Sequence, residues 1–256
     1  MKIKSHDDVM MNMEFDINPK FDAVLIIGNG FDLNFNLKTG YTDFIKSNDF
    51  RQIVDKNGLC MHLHQKHNLH KWIDIEKELG AFSINTGIKA EQLRSEFQIL
   101  SNALVQYLKK IDLTNLNKSN VCYELISEVA TFNSLVIDFN YTNTVKVILK
   151  EKGVSNSKNL KHVKIHGSLE TGNIIFGVDD KMAIRLEHIF LKKSVNKYYN
   201  AENFSQYLAE CNSIIIFGHS LGETDHMYFQ DYFRAACNSK NKLSGKEITI
   251  YHLRPV

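Results

Sequence analysis

Short apolar runs that stop abruptly on glycine, asparagine or histidine constrain this chain more than any other feature. Ala23-Val24-Leu25-Ile26-Ile27 halts at Gly28-Asn29-Gly30-Phe31-Asp32. Leu135–Asp138 runs into Phe139-Asn140-Tyr141-Thr142, and His162–Ile165 into His166-Gly167-Ser168. Ile174–Phe176 ends at Gly177, Ser213–Phe217 at Gly218-His219-Ser220-Leu221-Gly222, and Ile248–Tyr251 closes the series. Apolar runs this short, with little alternation, suit strands buried on both faces, the habit of parallel sheets covered by helices.

From residue 43 to about 130 the pattern turns helical. Leu93, Phe97, Leu100, Leu104 and Leu108 recur at steps of three and four, which predicts a helix over about 91–111. Trp72 through Leu79 is expected in another helix, where Asp74, Glu76 and Glu78 favour its start and Trp72 its core. No Pro-rich linker divides the chain, whose only prolines are Pro19 and Pro255. The expected fold is therefore α/β: a mainly parallel, Rossmann-like sheet with a helical lobe at about 45–130. Residues 21–256 form one domain on this reading, after a loosely ordered leader at 1–20.

Composition removes several function classes. With 43% hydrophobic and 23% charged residues the chain is neither disordered nor collagen-like. Lys+Arg 31 against Asp+Glu 29 leaves +2, no electrostatic footprint for nucleic acid. Cys60, Cys122, Cys211 and Cys237 stand far apart, which predicts reduced thiols and no zinc ribbon. His6, Asp7 and Asp8 interrupt any signal peptide, and no apolar stretch approaches a membrane span of ~20 residues. A cytoplasmic protein without membrane contact is the expectation.

In open α/β sheets, ligands bind beyond the carboxyl ends of the strands. Parallel, adjacent strands would bring Gly28–Asp32, Asn140, His166 and Gly218–Asp225 to one crevice. Gly28-Asn29-Gly30 suits close approach of backbone to a pyrophosphate, with Gly30 at positive φ; the plainer reading is an ordinary strand-to-helix turn. Leu33 replaces the third glycine of the dehydrogenase fingerprint and no acidic strand end follows ~20 residues on, so hydride transfer is not expected. Asn140 suits a ribose hydroxyl or a water, and His166 a proton near neutral pH.

Gly218-His219-Ser220-Leu221-Gly222 spells the G-x-S-x-G elbow of serine hydrolases. Asp225 or Asp231 and then His252 would complete a triad, but the chain after Gly222 is too short for the usual later elements. A ligand-facing turn with Thr224 or Asp225 near a helix cap is the better reading. His62, His64, His67 and His70 lack a completing acid or cysteine and read as a solvated segment, so no metal is expected.

Together these residues resemble the bacteriophage abortive infection AbiH family. The carriers are Leu25–Asp32, Gly40–Phe44, Trp72–Glu76, Asp138–Thr142, Ile165–Ser168 and Gly218–Gly222, in that order over about 22–229. The resemblance implies a role in defence against phage.

The same segments are more distantly similar to sirtuin-type NAD-binding domains of bacterial NAD hydrolases. Gly28-Asn29-Gly30 falls at that family's Gly-Ala-Gly turn, and Gly40–Phe44 at its Gly-Ile-Pro-Asp-Phe segment. Asn140-Tyr141 falls at the Asn of its Thr-Asn-Tyr-Asp segment, and His166-Gly167 at its catalytic His-Gly. Ile45 and Thr142 depart from the deacylase pattern and the four-cysteine zinc module is missing, so deacylation is not expected.

What the resemblance implies is cleavage of NAD or a related nucleotide at the nicotinamide–ribose bond. Asn140 and His166 would be catalytic. Gly28, Asn29, Gly30, Phe31, Asp32, Asp43, Gly167, Gly218, His219, Ser220 and Asp225 would hold the nucleotide. An inhibitory or activating protein partner and a homo-oligomer go with it. A non-catalytic nucleotide sensor and a hydrolase using Ser220 are the alternatives.

Overall fold

A computed structural model describes residues 20–71, 73–154, 158–199, 204–222, 225–237 and 246–251. The expected leader up to residue 19, Trp72, Thr224 and His252 lie outside the described residues. Along the chain run β1 (Phe21–Ile27), α1 (Asn29–Asn34), α2 (Tyr41–Lys46), α3 (Asn48–Val54), α4 (Gly58–His70) and α5 (Ile75–Asn85). After them come α6 (Ala90–Lys109), α7 (Val121–Val129), β2 (Ser134–Asp138), α8 (Thr144–Glu151) and β3 (Leu160–Lys164). Two 3₁₀ turns, Leu186–Leu191 and Lys193–Val195, precede α9 (Phe204–Ala209), β4 (Cys211–Phe217), α10 (His226–Ala236) and β5 (Glu247–Tyr251).

The strands form one all-parallel sheet in the order β3-β2-β1-β4-β5. This is the Rossmann-like α/β architecture expected from the runs. Val24, Leu25, Ile26 and Ile27 of the central strand are all inaccessible to solvent, because both faces are covered. Leu25, Ile27 and Val136 pack with α7 and α8 on one face. Val24, Ile26, Leu135 and Ile216 pack with Phe204 and Leu208 of α9 and Phe229 of α10 on the other.

Helices α2 to α6 make a separate core from Phe44, Phe50, Leu63, Leu79, Leu93, Leu100 and Leu104. Phe176, Val178 and Leu191, from chain after β3, complete it. Within this lobe Asn57 starts α4 by accepting from Cys60 N at 2.9 Å while its amide donates to Glu96 O of α6 at 2.9 Å.

Four expectations need correction. Ile174–Phe176 is not a strand: Ile175 N donates to His166 O at 2.8 Å, and Phe176 stacks on Phe97 of the lobe at 5.5 Å. A short buried apolar run fits a covering segment as well as a strand. The helix expected over Trp72–Leu79 starts only at Ile75, because Asp74 caps it by accepting from Lys77 N at 3.1 Å. The third strand begins at Leu160, two residues before His162. Finally, the histidine segment is α4, and its His67 is buried instead of solvated. Among the described residues no group of three or more His, Cys, Asp or Glu could hold a metal ion. No helix there is long and apolar enough to cross a membrane.

Candidate functional site

Strand register assembles the site. Ile27 lies level with Asp138 of β2 and Phe217 of β4, and these in turn with Lys164 and Tyr251. Gly28, Asn140, His166 and Gly218 therefore leave the sheet at one edge, around the switch point where successive connections change direction beside β1. A cleft of about 520 Å³ opens there, within the usual range of roughly 300–1,000 Å³ for ligand pockets. Gly28, Asn29, Asp32, Asn140, His166, Gly218, His219, Ser220 and Asp225 line its sheet side. Tyr41, Asp43, Ile73, Asp74, Glu76, Leu104 and Leu108 line its lobe side. Carboxylates are frequent in this lining, and among the described residues no lysine or arginine joins it.

Three expected residues stand back from the cleft for packing reasons. Phe31 is wholly buried, edge-on to Phe35 and Phe217. Gly30 lies within α1 and does not take the positive φ expected of it; Gly218 does, at 61°. A Cβ on Gly30 would come within 2.6 Å of Gly218 Cα, so these glycines let β1 and β4 turns touch. Gly167, at φ 74°, lies against the Asn173 carbonyl, where no side chain fits. Moreover, the amides of Gly28, Gly30, Phe31 and Gly218 already donate to Phe217 O, Gly218 O, Gly28 O and Tyr251 O. The turns are tied to each other, and these amides do not point at a phosphate.

The polar centre of the cleft is Asp225. It occupies the cap position of α10, as expected, but its carboxylate does not cap the helix. Its Oδ1 lies 3.2 Å from His166 Nε2 and 3.1 Å from Lys193 Nζ, and its Oδ2 3.5 Å from His219 Nε2. Burial works against its charge, yet His166 and Lys193 beside it hold the carboxyl well below its ordinary range. Lys193, 1% exposed, also meets Glu76 Oε2 at 2.8 Å. Burial pushes the Glu76 carboxyl up against the pull of that ammonium. Tyr41, whose phenol burial raises further, donates to Glu76 Oε1 at 3.2 Å. Burial and then Lys193 lower His166, so the imidazole is a neutral base near pH 7. Two carboxyls shifted in opposite directions beside a neutral imidazole make a set suited to proton transfer.

Asn140 is held by its amide donating to Gly28 O at 3.1 Å and its backbone N–H donating to Asp138 Oδ1 at 2.8 Å. Its Oδ1 is the group left to accept from a water or a sugar hydroxyl. Asp138 is fixed in turn by Lys164 at 2.9 Å and His162 at 3.0 Å. Asp32 accepts from the Thr142 and Thr144 hydroxyls, and burial pushes it up to about 6. Ser220 is exposed and its Oγ accepts from Gly222 N at 3.2 Å. The left-handed residues of this turn are Gly218 and Leu221, at φ 61° and 52°, and not the serine, so the strained nucleophile of an elbow is not formed.

Sequence reasoning missed Lys193 altogether and took Glu76 for a helix-start acid. Glu76 carried a signal, its place in the Trp72–Glu76 segment of the resemblance. Lys193 follows Leu191-Lys192 like any surface lysine, and only its burial marks it.

The family model for bacteriophage abortive infection AbiH matches residues 24–109 and 85–244. No curated protein matches the chain.

Proposed function

The chain belongs to the bacteriophage abortive infection AbiH family, and on that premise we propose that its cleft cleaves the N-glycosidic bond of a nucleotide carrying a cationic base, NAD⁺ first among them. The observation that carries this reading is the pair of buried His166 and partly buried Asp225, at 3.2 Å, opening with Asn140 onto a cleft lined by carboxylates. As the C1′–N bond breaks, its electron pair neutralises the departing nicotinamide and positive charge develops on the ribose. Fixed carboxylates favour that oxocarbenium-like state over the uncharged sugar. Asn140 Oδ1 accepts from the attacking water or a ribose hydroxyl. His166 takes the proton the water loses on joining C1′, so NAD⁺ and water give nicotinamide, ADP-ribose and a proton. Among the described residues the lining offers a pyrophosphate no lysine or arginine, and the carboxylates and Asn140 face a cationic riboside.

A chain that depletes NAD⁺ in the cytoplasm has to be restrained until infection, and an inhibitory or activating partner or self-association is part of this proposal. Purified protein incubated with NAD⁺ tests it directly. Free nicotinamide and ADP-ribose should appear, and His166→Ala and Asn140→Ala should each reduce turnover by roughly 100-fold or more at unchanged expression. Tight binding without cleavage would make the cleft a sensor site. Covalent labelling of Ser220 by a fluorophosphonate would turn the reading to a hydrolase.

A further inference from the structure

Lys193 is buried, does not line the cleft, and therefore acts only through its neighbours. Its ammonium lies 2.8 Å from Glu76 Oε2, 3.1 Å from Asp225 Oδ1 and 3.4 Å from His166 Nε2. The same Oδ1 lies 3.2 Å from His166 Nε2, nearer than the ammonium does. A ring nitrogen facing a carboxylate oxygen is held there by carrying a proton.

We propose that Lys193 is a positioning residue for His166: it shares Asp225 with the imidazole, so that the ring carries its one proton on Nε2 and keeps Nδ1 as the accepting atom. An ionised aspartate alone would draw a second proton onto the ring, forming an ion pair and filling Nδ1. Lys193 opposes this twice, by competing for the same oxygen and by repelling a second positive charge. The other groups facing His166 are His219 from the turn after β4, Tyr141 after β2 with its ring at 6.1 Å, and Tyr228 of α10 at 6.2 Å. Glu76 lies behind the ammonium. Among these, Lys193 is the cation nearest the ring. Only the identity of the proton donor as water rests on the proposed function; the tautomer does not.

The test is a pH titration of the full chain with ¹⁵N-labelled histidine, read by long-range ¹H–¹⁵N spectra with His166 assigned from His166→Gln. Wild type should show the neutral Nε2–H form at pH 7 and a midpoint below the usual imidazole value of about 6.5. Lys193→Met should raise that midpoint by about one pH unit or more, while Lys193→Arg keeps it low. Lys193→Met leaves the buried Glu76 and the partly buried Asp225 without their cation, so Glu76→Gln/Lys193→Met is measured beside it, with the same rise expected. A wild-type proton on Nδ1, a wild-type midpoint at or above the usual imidazole value of about 6.5, or a midpoint unmoved in whichever variant folds would overturn the proposal. The wild-type tautomer and midpoint can do so even if neither variant folds. No substrate enters these spectra. A chain that shows the shift but leaves NAD⁺ intact loses the function and keeps this role; cleavage without the shift does the reverse.

Discussion

Gly30 and Gly218 meet where β1 and β4 end, backbone against backbone. Adding a Cβ at Gly30 brings it 2.6 Å from Gly218 Cα and 2.9 Å from Gly218 O, both backbone atoms that cannot swing aside. Gly30→Ala should therefore cost about 1–3 kcal/mol of stability, as overpacking does, seen as a lowered thermal midpoint without ligand. An unchanged midpoint would show that the two turns have room to part. Asp32 makes a second prediction. Its folded pKa of about 6 lies above the ordinary 3.8, so the native state keeps a proton that the unfolded chain releases. Its contribution is fully present below about pH 4 and is lost as pH rises through 6. Asp32→Asn removes this dependence, and relative to wild type the variant should gain up to about 3 kcal/mol between pH 4 and pH 7 in urea denaturation. A difference constant across that window would mean Asp32 does not titrate there.

Helix caps show how local signals and tertiary contacts combine at the scale of elements. Ser47 caps α3 with a single bond at 3.3 Å to Phe50 N. Asn57 caps α4 and also ties it to α6 through Glu96 O, with the side chain buried. Ser47→Ala should cost about 1 kcal/mol or less. Asn57→Ala should cost about 1.5–3 kcal/mol, because it removes a buried hydrogen bond between the two helices as well as the cap. Equal losses in the two variants would mean that the Glu96 bond adds nothing. The segment at 174–176 teaches the opposite lesson: its apolar run was legible as buried, but what buries it is the lobe's Phe97 and not a neighbouring strand.

For the molecule as a whole, the site exists because three layers deliver groups to one edge. The sheet brings Asn140 and His166, the lobe brings Tyr41 and Glu76, and α10 with the second 3₁₀ turn brings Asp225 and Lys193. His166 must be neutral to accept a proton, and burial together with Lys193 lowers its titration. If the chain turns over a nucleotide, kcat/KM should stay level as pH falls from 8 to about 6.5 and decline only below that ordinary imidazole value. A decline that starts above pH 7 would give the proton transfer to another group.

The positions of β1, β2 and β4, the burial of β1 and β2 on both faces and the convergence of Gly28, Asn140, His166 and Gly218 could be read from the chain alone, because apolar runs and the turn residues that stop them are local properties. Parallel pairing then leaves little freedom in where their ends meet. The half-buried β3 and the largely exposed β5, by contrast, lie at the edges of the sheet, a place no local pattern assigns. The Glu76–Lys193–Asp225 chain could not be read in the same way. Its members lie far apart in sequence, and a lysine is expected at the surface unless distant carboxylates close around it. Likewise the tight meeting of Gly30 and Gly218 depends on the register between β1 and β4, which no local pattern states. Local sequence determined which segments are buried and where they stop; tertiary packing decided which charges face one another, because burial and opposite charge act between residues only after the layers have closed.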